Sequence, residues 1–180
     1  MKLKIVAEDK YLPQYANDTD ACMDLKARIQ NEITEQPEMA AANMILDGFA
    51  QLTGMDTVKD TQDSIVIWPG QVRKVPSGVQ VAIPEGYVMK IYVRSSIGIK
   101  KNLRLANGTG IIDAGYRDEV IMALHNFGKE PVLIKDGDRI CQFILLPFPK
   151  VELEIVEDNK DFRMGDRGGG IGSTDKKENK

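Results

Sequence analysis

Residues 65–93, which read IVIWPGQVRKVPSGVQVAIPEGYVMKIYV, carry the clearest secondary-structure signal in the chain. Short runs rich in valine, isoleucine and aromatic residues are separated by Pro-Gly, Pro-Ser-Gly and Pro-Glu-Gly, which are typical turn sequences. We predict strands at residues 65–68, 72–75, 79–83 and 87–93. Short strands with regular turns are typical of an antiparallel barrel or a jelly-roll sandwich. The sequence therefore predicts a mainly β protein.

The strand pattern continues on both sides of this stretch, and 180 residues suffice for one domain with a sizeable core. Alternating apolar residues predict further strands at 3–7, 24–29, 119–126, 131–135, 139–146 and 151–156. We expect Asp138 and Arg139 to pair structurally around the turn before one of these strands. The predicted organisation is a β-barrel domain over residues 1–157, followed by a flexible, glycine-rich C-terminal arm over residues 158–180.

Residues 33–64 interrupt the strand pattern. From Pro37 onward the segment is rich in helix formers, and Gly54 suits a helix end. Apolar residues recur at three- and four-residue steps, at Met39, Ala42, Ile45, Leu46, Phe49 and Leu52. We predict a small inserted helical segment whose apolar face either packs on the barrel or docks a protein partner.

Composition and charge exclude several classes of protein. The formal net charge is −3, whereas a protein that coats nucleic acid needs a basic face. No apolar run approaches a membrane span, and residues 1–6 lack the apolar region of a signal peptide. Cys22 and Cys141 lie far apart and fit a reducing compartment. We expect a cytoplasmic protein without membrane or direct nucleic-acid binding.

Residues 107–126, NGTGIIDAGYRDEVIMALHN, carry the chief candidate site. Gly108 and Gly110 can adopt positive φ angles, which suits a turn. We predict a tight hairpin with open backbone amides and carbonyls, the Asp113 carboxylate at its base and the ring of Tyr116 beside it. From the residues alone, Asp113 is either a turn-capping side chain or a general base.

Five stretches, in order, resemble the motifs of the homotrimeric dUTPase family. They are ACMDL at 21–25, RSSIG at 94–98, the stretch 107–126, GDRICQ at 137–142 and RGGGIGST at 167–174. The resemblance covers most of the chain outside roughly residues 31–64. It implies a dUTPase-like distorted β-barrel or jelly roll that forms a homotrimer. It also implies Mg²⁺-assisted hydrolysis of dUTP to dUMP and pyrophosphate, which keeps uracil out of DNA and supplies dUMP.

The resemblance implies roles for the residues of the third motif. Asp113 occupies the position of the acid that activates the attacking water. Tyr116 would pack beneath the deoxyribose, where a flat ring leaves no room for a 2′-hydroxyl. The uracil edge would be bound by Asn107 and by the backbone of Gly110, Ile111 and Ile112. A site whose hydrogen-bonding groups match the edge of uracil rejects cytosine, because the amino group of cytosine leaves those buried groups without a matching partner.

The other motifs would hold the triphosphate. Arg94, Ser95 and Ser96 offer a cation, hydroxyls and turn amides, and Gln142 also occupies a phosphate-contacting position. Asp24 resembles the acid that orients the Mg²⁺–triphosphate through water. Mg²⁺ keeps several of its waters and takes direct ligands from phosphates, so a protein cage is unnecessary.

The C-terminal arm would close over the bound nucleotide. Its implied substrate contacts are Arg167, Gly170, Ile171, Gly172 and Ser173. The arm is one residue shorter than the usual motif, and Ile171 replaces the phenylalanine that stacks on uracil. An aliphatic lid covers the ring but loses a stacking contribution of about 1 kcal/mol.

Other chemistries fit less well. The related dCTP deaminase needs a glutamate ten residues beyond Asp113, and Ala123 stands there. His125 is the only histidine and lies in a predicted strand, so a Ser-His-Asp triad is disfavoured. Similar insertions occur in phage-encoded relatives that bind a repressor. Residues 33–64 are therefore a candidate surface for a repressor-type partner, and the chain a candidate phage protein.

Overall fold

The computed structural model describes residues 1–30, 44, 45, 48, 51, 52 and 59–158 of the chain. Its elements, in order, are β1 (Lys4–Val6), a 3₁₀ helix (Asp9–Tyr11), β2 (Gln14–Tyr15), β3 (Met23–Lys26), β4 (Ser64–Ile67), β5 (Val72–Pro76), β6 (Gln80–Ala82), β7 (Tyr87–Val93), α1 (Ser95–Lys101), β8 (Leu103–Leu105), β9 (Gly110–Ile112), β10 (Ile121–Asn126), β11 (Val132–Lys135) and β12 (Arg139–Pro147). The predicted mainly β class is confirmed.

The described strands form four antiparallel sheets. The largest has the order β2-β3-β12-β7-β9, and a second has the order β5-β10-β8. The remaining strands form the pairs β1-β6 and β11-β4. Strands that are distant in sequence are neighbours in the largest sheet, and this arrangement brings the predicted motifs together.

The core lies between the sheets and is built from the inward-facing residues of nearly every strand. All four residues of β4 are buried, whereas β5 alternates between exposed and buried positions. Fully buried side chains include Leu25, Ile65, Met89, Met122 and Ile134. Alternation places one face of each outer strand in the core, where burial of each large apolar side chain contributes roughly 1.5–3 kcal/mol.

The core contains a buried ion pair, Arg73–Asp60, and a buried amide, Asn126, and the side chains of all three residues have hydrogen-bond partners. Arg73 donates to Asp60 at 3.1 Å from both terminal nitrogens, and Asp60 also accepts from the backbone of Val66 at 2.6 Å. Asn126 donates to the carbonyls of Ile67 and Glu130, each at 2.8 Å. Burial of polar groups is tolerated because none is left without a partner among the described residues.

Two details differ from the sequence prediction. The predicted strand at residues 151–156 is absent, and Val151, Leu153 and Ile155 are 76%, 89% and 97% exposed. A segment with alternating apolar residues does not form a strand unless it pairs with the edge of a sheet. The helix α1, which follows β7, was not predicted because its seven residues are too few for a helical period to stand out.

The chain divides into two units, Met1–Pro149 and Lys150–Lys180. All the strands and α1 belong to the first unit. The boundary after residue 157 remains a prediction. Among the described residues, no helix is long and apolar enough to cross a bilayer.

The predicted insertion lies mostly outside the described residues. Met44, Ile45, Gly48, Gln51 and Leu52 are the described positions of this segment, and each is helical. Two of them belong to the predicted apolar face, Ile45 and Leu52, and these are 73% and 88% exposed. The insertion as a whole remains a prediction.

Candidate active site

Neighbouring strands of the largest sheet carry one group of predicted site residues. Asp24 of β3 lies opposite Gln142 of β12, and Gln142 lies opposite Tyr92 of β7. Arg94 directly follows β7, and its backbone N–H donates to the carbonyl of Ile140 at 3.1 Å. Residues of the first, second and fourth motifs therefore meet because their strands are paired in register.

These residues line a cavity of about 270 Å³. Its lining is Ala16, Asp20, Ala21, Cys22, Asp24, Arg94, Ser95 and Gln142. Ser96 is exposed and does not belong to this lining. A larger cavity, of about 760 Å³, is lined by residues such as Lys100 and Phe127 and contains no predicted site residue. The smaller cavity is the candidate site because charged and polar side chains converge on it.

Asp24 is the electrostatic centre of the cavity. It is only 6% exposed, and its carboxylate lies 2.9 Å from Nε of Arg94 and 3.2 Å from Nη1 of Arg139. Asp24 and its two guanidinium partners together carry one excess positive charge, which the carboxylate of Asp20 in the same cavity lining offsets. The ion pair with Asp24 orients the guanidinium of Arg94, a group that binds phosphate.

The partner of Arg139 differs from the sequence prediction, because its guanidinium contacts Asp24. Its predicted partner, Asp138, accepts instead from the backbone of Lys135 at 3.0 Å, so the predicted pairing is wrong. The register of β12 against β3 shifts between Arg139 and Cys141. This bulge places Arg139 opposite Lys26, on the same face as Asp24. A bulge leaves no sequence signal that residue alternation could reveal.

The second motif begins α1 rather than an isolated turn. Arg94 precedes the helix in an extended conformation, and its carbonyl accepts from the backbones of Ile97 at 3.0 Å and Gly98 at 2.9 Å. Ser95 and Ser96 occupy the first helical positions, and both are exposed. The hydroxyl of Ser95, which lines the cavity, is therefore available to a ligand there, whereas Ser96 lies outside the lining.

The third motif lies at the opposite end of β7 from Arg94. Ile112 of β9 lies opposite Met89 of β7, so Asp113 comes next to the beginning of β7. Six residues of strand separate that level from Arg94, which is a distance of roughly 20 Å. Within one chain, the structure therefore does not bring Asp113 into the cavity around Asp24.

The predicted hairpin within residues 107–126 is wrong. β9 pairs with β7, whereas β10 pairs with β5 and β8 in another sheet. The chain turns a corner between sheets at residues 113–120, a connection that local turn signals cannot distinguish from a hairpin. The strand predicted to start at Glu119 begins at Ile121.

The backbone around β9 is open on one side, as the uracil-binding prediction requires. β9 is the last strand of its sheet, so one row of its N–H and C=O groups has no strand partner. Gly110 is buried against Ile91, whereas Ile111 is 50% exposed and Ile112 half-buried. Asn107 is exposed in the preceding turn.

Tyr116 is half-buried in the connection between β9 and β10. Its backbone N–H donates to the carbonyl of Asp113 at 3.1 Å, and its hydroxyl donates to the carbonyl of Glu119 at 2.7 Å. The ring and the carboxylate that the third motif requires are therefore held in one short segment.

The donor set of the cavity fits Mg²⁺ only through water. Asp20, Asp24 and Gln142 supply oxygen atoms, but Asp24 is already paired with two guanidinium groups. Within the described part of the chain, no cluster of three or more acidic, histidine or cysteine residues could form a cage. Mg²⁺ bound chiefly by water and phosphate is compatible with this arrangement.

The remaining predicted contacts, Arg167, Gly170, Ile171, Gly172 and Ser173, lie outside the described residues.

Sequence comparisons identify related proteins. A family model described as dUTPase matches residues 40–174. A deoxyuridine 5′-triphosphate nucleotidohydrolase of Desulfitobacterium hafniense is 33% identical over 177 residues, which cover 97% of this chain and 95% of the relative. The protein of the same name from Clostridium tetani is 31% identical over 176 residues, covering 98% and 97%.

Solved structures share the fold. A variant of the Staphylococcus bacteriophage 80alpha dUTPase with dUpNHpp matches with a TM-score of 0.68 and 21% identity, covering 96% of this chain and 98% of that one. The dUTPase from phage phi11 of S. aureus, which has a species-specific insert, matches with a TM-score of 0.64 and 20% identity, covering 90% and 100%.

Proposed function

Because this chain belongs to the dUTPase family and is therefore a dUTP nucleotidohydrolase, we propose that it converts dUTP to dUMP and pyrophosphate by Mg²⁺-assisted attack of water on the α-phosphorus. The observation that carries the proposal is the cavity in which Asp24, Arg94 and Gln142 converge from distant parts of the sequence. The guanidinium of Arg94 and the hydroxyl of Ser95 in its lining are groups that bind phosphate.

Arg94, Ser95 and Gln142 bind the phosphates in this proposal. The side chain of Arg94 is 25% exposed, so its guanidinium can contact a ligand while its Nε remains hydrogen-bonded to Asp24. Charge-assisted hydrogen bonds to phosphate are stronger than neutral ones. Their strength increases further in the transition state, where negative charge develops on the leaving group. Arg139 balances the negative charge of the Asp24 carboxylate. Ser96 provides a further hydroxyl at the entrance of the cavity.

Asp113 acts as the general base. Its carboxylate accepts a proton from the attacking water, while the bond between the α-phosphorus and the bridging oxygen breaks and pyrophosphate leaves. The exposed edge of β9 binds the uracil ring with Asn107, and Tyr116 packs against the deoxyribose. Asp24 would hold Mg²⁺ through water, and the ion would supply charge neutralisation of the triphosphate.

A complete site requires more than one chain in this proposal. The cavity around Asp24 and the base Asp113 are separated by roughly 20 Å along β7, which is too far for one nucleotide's α-phosphate to contact both. A homotrimer in which one subunit supplies Asp113 to a neighbour's cavity resolves the separation. In this proposal, the arm residues Arg167 to Ser173 cover the bound nucleotide in addition to the groups that the two subunits supply.

The activity is tested with the purified full chain. With MgCl₂ and dUTP, we expect dUMP and pyrophosphate in equal amounts, measured by chromatography and a pyrophosphate assay. Removal of divalent cations with EDTA should abolish most of this turnover, and added Mg²⁺ should restore it. With dCTP we expect neither ammonia nor dUTP. Ammonia release from dCTP would overturn the assignment in favour of a deaminase.

A second function is proposed for residues 33–64, as a binding surface for a repressor-type protein. Its support is the exposure of Ile45 and Leu52, apolar residues of the predicted helix face. The phage 80alpha dUTPases are described as controlling transfer of virulence genes by a G protein-like mechanism. Deletion of residues 35–58, which spares the buried Asp60–Arg73 pair, should abolish capture of a repressor and retain dUTP turnover, whereas misfolding of this variant would indicate a packing role.

A further inference from the structure

The ring of Tyr116 is held by the backbone of a later residue in the same loop. The tyrosine hydroxyl donates to the carbonyl of Glu119 at 2.7 Å. Burial, with the nearby charges of Asp118 and Glu119, raises the pKa of Tyr116, so its hydroxyl remains a donor at neutral pH. The position of the ring therefore depends on the position of Glu119.

Glu119 is fixed in turn by its side chain. Its carboxylate accepts from Nε of Arg28 at 3.0 Å, from Nη2 of Arg28 at 2.7 Å and from the backbone of Gly78 at 2.5 Å. The side chains of Arg28 and Glu119 are 18% and 23% exposed. Burial opposes the charge of Glu119, but hydrogen bonds from Arg28 and Gly78 outweigh it and lower its pKa. The ion pair therefore persists at neutral pH.

The loop that carries Tyr116 is also held at its end by the backbone of Val120, which donates to the carbonyl of Val79 at 2.9 Å and accepts from Ser77 at 3.1 Å. Residues 113–120 contain neither helix nor strand. Arg28 follows β3, and its backbone N–H donates to the carbonyl of Pro76, the last residue of β5, at 2.8 Å. The two-pronged contact between Arg28 and Glu119 thus ties a loop without regular structure to the barrel, and such forked pairs fix orientation as well as distance.

We propose that the Arg28–Glu119 pair is a positioning clamp that holds the ring of Tyr116 against the sugar and thereby sets the discrimination between deoxyribo- and ribonucleoside triphosphates. The proposal rests on the proposed function, in which Tyr116 packs beneath the deoxyribose. The ring of Tyr116 excludes a 2′-hydroxyl only if it cannot move away from the sugar. Contacts that support the ring determine how far it can move. Neither residue of the clamp needs to touch the nucleotide.

The test compares dUTP with UTP as substrates of the full chain. In Arg28→Gln and Glu119→Gln, we expect the ratio of kcat/KM for dUTP to that for UTP to fall roughly tenfold, because the ring can yield to the hydroxyl. Arg28→Lys keeps the charge but loses the fork, so it should restore part of the ratio. Tyr116→Phe removes the hydroxyl but leaves the ion pair intact, and it should shift the ratio in the same direction.

Lys10→Gln is the matched control, since it removes an ion pair with Asp136 elsewhere on the barrel and should leave the ratio unchanged. Equal losses for both substrates at an unchanged ratio, in the Arg28, Glu119 and Tyr116 variants, would overturn the clamp. If the Arg28 and Glu119 variants do not fold, Tyr116→Phe alone decides, because an unchanged ratio there refutes the proposal. A wild-type chain without dUTP turnover would refute the proposed function instead.

Discussion

Unlike the carboxylate of Asp24, the carboxylate of Asp113 is not paired with a cation among the described residues. Asp24 and Asp60 are buried and paired with arginines. Asp113 is exposed, and within residues 59–158 no described group donates to its carboxylate. An ionised carboxylate whose lone pairs are not occupied by protein donors can accept a proton from water. This contrast supports the assignment of Asp113 as the base.

Replacement of Asp113 by Asn should lower kcat for dUTP by roughly a hundredfold to ten-thousandfold, the usual contribution of a general base. The amide keeps the size and polarity of the side chain, so oligomer formation should be unaffected when it is checked by size-exclusion chromatography. Asp118→Asn, an exposed carboxylate in the same loop, is the control and should turn over dUTP normally. Unimpaired hydrolysis by the Asp113 variant would contradict the mechanism.

Gly110 is required for the close approach of β9 to β7. A Cβ at this position would lie 3.0 Å from Cβ of Ile91, which cannot move independently of its own backbone. Gly110→Ala should therefore lower the free energy of unfolding by about 1–3 kcal/mol. Gly115→Ala meets no atom within 4 Å and should change stability little. Urea denaturation of both variants measures the difference, and equal stabilities would contradict the packing argument.

At the scale of elements, the turn between β11 and β12 anchors the N-terminal part of the chain. Asp136 in this turn accepts hydrogen bonds from Lys10, from the hydroxyl of Tyr11 at 2.9 Å and from the backbone of Ile29 at 2.7 Å. Burial opposes ionisation of Asp136, but the hydrogen bonds from Lys10, Ile29 and Tyr11 outweigh it and lower its pKa. The carboxylate therefore ties the 3₁₀ helix and the segment that follows β3 to the turn between β11 and β12.

The lowered pKa of Asp136 predicts a stability that depends on pH. A carboxyl group with a lower pKa in the folded state stabilises the protein above its unfolded value, near 3.8, and loses that contribution as the pH falls through the folded value. Asp136→Asn should thus be less stable than the wild type at about pH 6, and the gap should narrow below about pH 4. Urea denaturation measures the free energy of unfolding of both proteins across this pH range. A difference that stays constant with pH would contradict the proposed role of Asp136.

At the scale of the whole molecule, the two halves of the proposed site lie at opposite ends of β7. Coexpressed Arg94→Ala and Asp113→Asn chains test whether sites are shared between subunits. Each variant alone should be nearly inactive, whereas mixed oligomers should recover about one quarter of wild-type activity, because one site in four pairs an intact Arg94 with a neighbour's intact Asp113. Recovery that never exceeds the sum of the separate variants would show that each site belongs to one chain.

Much of the fold was predictable because strand signals are local. The strand at Tyr87–Val93 matched the prediction at both ends, and those around β5 and β12 differed by a residue at one end. Residues 151–156 show the limit of the pattern, since alternation without a pairing edge does not make a strand. The site was partly predictable: Asp24, Arg94, Ser95 and Gln142 do meet, whereas the contact of Arg139 with Asp24 was not predicted, because a bulge reversed the face of Arg139.

The amino-acid sequence alone determined the β class, the turns and the kinds of side chain available for phosphate, sugar and proton transfer, because periodicity and residue chemistry are properties of neighbours along the chain. Only the tertiary structure decided that β9 pairs with β7, that Arg139 reaches Asp24 and that Arg28 holds Glu119. These contacts depend on the choice of strand partner and on register. Both are settled by burial of the whole core, which no short stretch of sequence specifies.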